Sequence, residues 1–365
     1  MDKLRVGLIF GGRSVEHEVS IASATSIYRA LDPTRYDVTL VAIDHDGRWH
    51  RGAPKLPPEA SLRGELVSLA PMPGPRALVP AERGALAAAA TPLDVVIPIV
   101  HGRGGEDGSL QGLLELAGLP YVGSGVLGSA VQMDKEVAKR LLQAAGLPVA
   151  RWTLVRHGEL RADPAGAAAR ALREIAPPLF VKPANQGSSV GITKVREAAA
   201  LLPALEEAAR YDTKILVEAA IDAREIEVAL LGGERLEASV PGEIRTRHEF
   251  YDYEAKYVDE DTELLVPAEL DEEQTREVQR LAIRAGEVLD CEGLGRVDFL
   301  MERSSGAFLV NEVNSLPGFT ESSMFPRLWE ASGLPYPALL DRLIELALER
   351  HRTRARLETV YRPTT

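Results

Sequence analysis

The sequence predicts an α/β protein in three units, an open sheet followed by two α+β units. Three observations carry this. Through the first third, apolar runs of strand length alternate with stretches of helical spacing, at 5–10, 19–31, 37–43, 94–100 and 109–117, a rhythm that builds a parallel sheet with helices on its faces. A break at Gly123-Ser124-Gly125 ends the pattern and new strands start near Ala223, so the units span 1–123, 124–222 and 223–365. The length of 365 residues suits two or three domains at about 150 residues each.

The elements follow in order. Strand 5–10 stops at Gly11-Gly12, and helix 19–31 stops at Asp32-Pro33, because proline cannot continue a helix. Strand 37–43 closes in the turn-like Asp44-His45-Asp46-Gly47. Residues 51–90 are rich in proline and alanine, and their weak periodicity predicts an insertion with little structure of its own. Strand 94–100 leads through a glycine-rich loop into helix 109–117. The second unit starts with a helix at 134–145, ended by Gly146 and Pro148, and its strands 179–182 and 215–218 flank the polar loop 185–191. The third carries strands 225–231 and 236–240, an amphipathic helix at 272–289, strands 295–301 and 308–314, and a helical end.

Composition narrows the function. The chain is 45% hydrophobic with a net charge of −12, which argues against a nucleic-acid or anionic-membrane surface, since either needs a basic face. The single cysteine, Cys291, can form no internal disulfide and no zinc cluster. The first ten residues are too short for a secretory signal, and no run of about 18 apolar residues suggests a membrane span. A cytoplasmic protein is expected.

Side chains two apart in a strand share a face, roughly 6–7 Å apart. Arg296 and Asp298 therefore point one way, and so do Glu312 and Asn314. Two carboxylates and an amide oxygen, with no histidine or cysteine nearby, form an all-oxygen set suited to magnesium; the plainer reading is an Arg–Asp ion pair beside unrelated polar residues. Lys182 at a strand end precedes PANQGSSVG, a loop whose backbone N–H groups could cover nucleotide phosphates. No GxxxxGK[ST] or dinucleotide fingerprint is present. HGRGGEDG at 101–108 follows a buried strand, where α/β proteins place ligand loops, though it would also serve as a capped turn. YDYEAKY at 251–257 reads as a lid or a solvated loop. Glu16, His17 and Glu18 begin a helix, where acids can simply complement its dipole.

Taken together, GGRSVEHEVS, HGRGGEDGSLQG, MDK, VKPANQGSSVG, YDYEAKY, GRVDF and NEVNSLPGFT, in this order from Val6 to about Pro326, resemble the D-alanine–D-alanine ligases of the ATP-grasp superfamily. The resemblance implies an open-sheet, Rossmann-like pre-ATP-grasp domain at 1–123 that binds substrate, and two α+β domains, 124–222 and 223–365, that clasp ATP. It implies joining of two D-alanine molecules through an acyl phosphate, for peptidoglycan synthesis. By the same resemblance Glu18, held by Ser188 and Tyr257, receives the first ammonium group, while Ser323 receives the second carboxylate and His101 lies in the substrate site. Arg296 and the Gly318 N–H stabilise the oxyanion. Lys135, Lys182 and Lys256 reach the phosphates. Glu218 and the backbone at Ala220 and Ile221 recognise adenine, although small residues at the hinge depart from the commoner pattern, and Glu225 takes the ribose. Asp298, Glu312 and Asn314 hold two magnesium or manganese ions, with Glu312 bridging. A homodimer is implied; activation by a monovalent cation is left open. The alternative is a depsipeptide ligase using D-lactate, against which YDYEAKY argues. A non-catalytic nucleotide-binding regulator and an NAD oxidoreductase fit the motifs less well.

Overall fold

The computed structural model describes residues 2–52, 64–72, 76–81, 90–245, 263–358 and 361. The first sheet contains β1 (Leu4–Gly11), β2 (Tyr36–Ile43), β3 (Trp49–Arg51), β4 (Glu65–Leu69), β5 (Ala77–Pro80), β6 (Thr91–Pro92) and β7 (Val95–Ile99), in the order β6-β5-β4-β3-β2-β1-β7. β1 pairs in parallel with β2 and with β7, and α1 (His17–Ala30) makes the crossover from β1 to β2 that parallel pairing requires. The three strands expected to pair in parallel do so, and beyond β2 the sheet continues through antiparallel pairs. Within the stretch 51–90, expected to have little structure of its own, the described residues add β4 and β5 to this sheet. Strands β3 to β6 have two to five residues, too few for alternation to stand out, and Pro80 and Pro92 lie toward the sheet's edge, where a missing donor is tolerated.

The second sheet follows α2 (Ser109–Leu116), α3 (Val126–Met133) and α4 (Lys135–Ala144). The Asp134 side chain caps α4 by accepting from the Val137 N–H. β8 (Trp152–Arg156), α5 (His157–Ala162), α6 (Pro164–Glu174), β9 (Leu179–Pro183), β10 (Thr193–Val195), α7 (Leu201–Ala208) and β11 (Lys214–Ala219) complete the unit. Its four strands run antiparallel in the order β10-β9-β11-β8. Val155, Val181 and Val217 pack on Ala171 and Leu205 in a core of their own.

The third sheet has β12 (Ala223–Gly232), β13 (Leu236–Ala238), β14 (Gly242–Arg245), β15 (Glu263–Leu265), β16 (Gly293–Glu302) and β17 (Phe308–Asn314), ordered β15-β14-β12-β16-β17 with β13 on β12. α8 (Glu272–Val288) starts in a capping box between Asp271 and Gln274 and buries Val278, Leu281 and Ala285 against Val228, Val297 and Phe299. Ala138 and Leu142 of α4 join that core, so α4 precedes the second sheet in sequence but packs on the third.

α9 (Met324–Ala331) and α10 (Tyr336–Arg354) close the chain. Leu339, Leu340 and Leu343 of α10 pack with Val6, Leu8 and Ile97 of the first sheet and Leu294 of the third, giving the two units one shared core. The opposite face of the first sheet, with Ile9 and Val96, packs under Leu110 and Leu114 of α2. Among the described residues no helix is long and apolar enough to cross a membrane.

Candidate functional site

The three sheets meet around a cleft of about 370 Å³. Across its floor the β16–β17 register sets Arg296 opposite Asn314 and Asp298 opposite Glu312, so all four side chains share one face, as their spacing predicts. The Arg296 guanidinium donates from Nε and Nη2 to the two Asp298 oxygens, both at 2.7 Å. Asn314 Nδ2 donates to Asp298 at 2.8 Å, and Lys135 Nζ lies 3.3 Å from Glu312 while donating to the Gln186 carbonyl at 2.9 Å. Two carboxylates beside an amide, bare of nitrogen and sulfur ligands, fit a hard cation such as magnesium.

A register shift follows Asp298, leaving Asn311 as an extra residue on β17. Bulges of this kind re-aim side chains near functional sites. Here the Asn311 carbonyl accepts from Lys139 at 3.4 Å and its side-chain oxygen from Lys182 at 3.5 Å, tying the third sheet to the second.

The structure corrects one expected residue. Glu16, rather than Glu18, faces the cleft: it is 8% exposed, and Ser188 donates its hydroxyl to Glu16 Oε1. Among the described residues Glu16 Oε2 is buried with no hydrogen-bond partner. Two glycines make its space, since a Cβ at Gly187 would sit 2.5 Å from that oxygen and one at Gly102 2.6 Å. Ser188 and Ser189 are held at φ 47° and 59°, a sparsely populated region that non-glycine residues occupy at functional sites at some cost. Glu18 is exposed, beside His17 and His45. The reason is helical phase. The inward face of α1 is Ser20, Ser23, Ala24 and Ile27; Glu16 lies one turn before Ser20, while Glu18 is about 200° further round than Glu16. The expected residues Lys256 and Tyr257, with the rest of 251–257, lie outside the described residues.

His101 lines the cleft but is already engaged. Its Nδ1–H donates to the Leu316 carbonyl at 2.9 Å, and the Ser23 hydroxyl donates to Nε2 at 3.1 Å. Ser23 in turn accepts the Phe319 N–H at 3.2 Å. Burial pushes the imidazole below its ordinary value, against the opposing charge of Glu16, so the ring is neutral at neutral pH. His101 thus fixes the loop carrying Gly318 while lining the cleft where the sequence places it.

Glu106 braces the same loop by accepting the Leu316 N–H at 3.0 Å and the Gly102 N–H at 2.7 Å. Desolvation, then the negative charge of Glu16, push its carboxyl up to about 8. A glutamate released on unfolding titrates near 4.5, so the stability from this group is full below that pH and is lost as pH rises through about 8. Urea melts between pH 4.5 and 9 test this: Glu106→Gln flattens the decline seen in the parent protein, and an unchanged slope overturns the assignment.

At the far end of the site Glu218 is 2% exposed. It pairs with Lys182 at 2.7 Å and Lys139 at 3.3 Å. Burial alone would raise its carboxyl, but Lys139 and Lys182 outweigh it and hold the group at about 2. Burial likewise opposes the charge on Lys182, yet Glu218 and Glu312 raise it. The Ala220 N–H donates to the Pro178 carbonyl at 3.1 Å, so that donor and the Glu218 carboxylate, both expected to read adenine, are engaged with protein here. Ile221 follows in the turn to β12, where Glu225 adds to the negative field around Lys182. At the opposite end Ser323 stands at the N-cap position of α9 without a side-chain capping bond, its Oγ 2.7 Å from Thr320 Oγ1. A Cβ at Gly318 would lie 3.2 Å from that Oγ, so Gly318 and Ser323 adjoin.

Reading the sequence met Glu106 only as part of the 101–108 loop, and did not single out Lys139 or Glu227. The last two carried a signal: Glu227 is two residues from Glu225 in an apolar strand, and Lys139 is four from Lys135 on one helix.

Comparison with known proteins agrees with this geometry. A family model described as "D-ala D-ala ligase N-terminus" matches residues 5–124, and one described as "D-ala D-ala ligase C-terminus" matches 141–345. The chain is 50% identical over 376 residues to D-alanine--D-alanine ligase A of Bradyrhizobium diazoefficiens, covering 99% of each chain. Among solved structures it is similar to the D-alanine-D-alanine ligase from Coxiella burnetii, with a TM-score of 0.82, 38% identity and 97% of each chain covered. It is also similar to the VanG D-Ala:D-Ser ligase from Enterococcus faecalis, with a TM-score of 0.84 and 33% identity over 95% of this chain and 100% of that one.

Proposed function

The chain belongs to the D-alanine–D-alanine ligase family, and from that membership we propose how its cleft joins two D-alanine molecules. The fold is ATP-grasp, and the reaction is ATP-dependent ligation of D-alanine to D-alanine for peptidoglycan synthesis. One observation carries the residue assignment: Glu16 lines the same cleft as Arg296 and Glu312, and its buried Oε2 has no hydrogen-bond partner among the described residues. A buried carboxylate oxygen needs a donor, and the ammonium of the first D-alanine supplies one.

ATP transfers its terminal phosphoryl group to the carboxylate of that D-alanine. The amine of the second D-alanine then attacks the acyl phosphate, and phosphate leaves. Lys135 and Lys182, with Lys256 from the loop, offset phosphate charge. Arg296 and the Gly318 N–H face the oxyanion, where donors fixed in advance lower the barrier most. Ser323 and the N-terminus of α9 receive the second carboxylate, since free N–H groups there favour an anion. Glu218, Ala220 and Ile221 border the adenine and Glu225 the ribose. By family resemblance Tyr257 is assigned, with Ser188, to hold the glutamate that receives the first ammonium. Asp298, Glu312 and Asn314 would hold two magnesium or manganese ions, which, when bound, neutralise phosphate oxygens. A cytoplasmic homodimer, with domains at 1–123, 124–222 and 223–365, belongs to the same reading.

Phosphate release tests substrate choice. D-alanine alone supports release and yields the dipeptide, while L-alanine, glycine, D-serine and D-lactate, each offered alone, support little. Release that needs D-lactate or D-serine beside D-alanine overturns the assignment of the second substrate.

A further inference from the structure

Glu227 lies on β12 directly opposite Asp298 of β16. It is 3% exposed and borders the cleft. Side chains directly opposite across antiparallel strands share a face with Cβ atoms about 4.5–5.5 Å apart, and like charges so placed repel. Two ionised acids so placed need a cation between them. Arg296 is that cation: its Nε lies 3.0 Å from Glu227 Oε2 and 2.7 Å from Asp298 Oδ1. The residue opposite Arg296 on β12 is the buried Ala229, whose small side chain leaves room for the guanidinium to lean between the two acids.

We propose that Glu227 is the positioning residue for Arg296, keeping the guanidinium aimed at the reacting carbonyl when Asp298 is drawn toward metal. This rests on the ligase reading above. Asp298 has two demands upon it, from Arg296 and from a divalent ion. An arginine anchored by Asp298 alone would lose its partner and face a like charge whenever the ion bound. Glu227 holds the guanidinium from the neighbouring strand, so Asp298 can change partner without the arginine moving. Glu227 itself is not a metal ligand.

The experiment compares Glu227→Gln, Glu227→Asp, Arg296→Ala and the double variant Arg296→Ala/Glu227→Gln in the full-length enzyme. Glu227→Gln keeps the size and removes the charge. It lowers kcat more than tenfold with both KM values within about twofold, the split expected when only transition-state contacts are lost. Glu227→Asp, which keeps the charge, recovers part of that loss. The double variant is no slower than Arg296→Ala, because the two residues act as one. Manganese binding in the presence of ADP, read by electron paramagnetic resonance, stays within about threefold in Glu227→Gln. A tenfold loss of manganese affinity makes Glu227 a ligand and overturns the inference, as does a double variant slowed by both factors multiplied. Should Arg296→Ala itself leave kcat unchanged, the assignment of Arg296 fails; a slow Arg296→Ala beside a normal Glu227→Gln sinks only the role of Glu227.

Discussion

Glu16→Gln lowers kcat/KM for D-alanine about 10²- to 10³-fold, whereas Glu18→Gln leaves it within twofold. Glutamine keeps the volume between Gly102 and Gly187 and can still accept from Ser188, so the loop remains in place. What goes is the charge that an ammonium group meets in a site closed to water. Removing one partner of a buried, hydrogen-bonded charge pair costs about 2–5 kcal/mol, which is the size of the loss expected. Glu18 is exposed on the first turn of α1, where solvent screens it. Initial rates over a D-alanine series for both variants decide the matter: a larger loss in Glu18→Gln than in Glu16→Gln restores the reading drawn from the motif alone.

Glu312→Gln abolishes turnover, by at least about 10³-fold, in a chain that remains folded. Glu312 stands opposite Asp298 and within 3.3 Å of Lys135, so one substitution weakens the cation set and leaves the lysine charge uncompensated. Interactions aimed at a transferring phosphoryl group supply much of the rate of such reactions. The side chain is only partly buried and β17 keeps its register with β16 through the backbone, so the melting temperature shifts little. Turnover and thermal melting on one preparation test both halves. Near-normal turnover at saturating magnesium removes Glu312 from the reacting centre.

Where a side chain's direction depends on strand period alone, it was legible in the sequence. Arg296, Asp298, Glu312 and Asn314 share a face because a period of two leaves no choice. Helix phase is less forgiving at a first turn, where no preceding turn fixes it, and there Glu18 stood in for Glu16. Glu218 shows a second limit: its pairing with Lys139 and Lys182 joins α4, β9 and β11, an arrangement that no local pattern encodes. The antiparallel strands between 49 and 92 were hidden by brevity. The order of the motifs along the chain carried the family, since each motif alone has an ordinary reading.

α10 covers the first sheet but is made long after it. β7 ends at Ile99 and α10 starts at Tyr336, so the ribosome adds roughly 240 residues between them, which at about 5–20 residues per second takes tens of seconds. During that interval Val6, Leu8 and Ile97 have α1 beside them but none of the leucines that later seal them. The nascent chain therefore presents an apolar surface through most of its synthesis, the kind that chaperones bind. A stop codon between Asn314 and Tyr336 leaves that surface permanently uncovered, even though Asp298, Glu312 and Asn314 have already been translated.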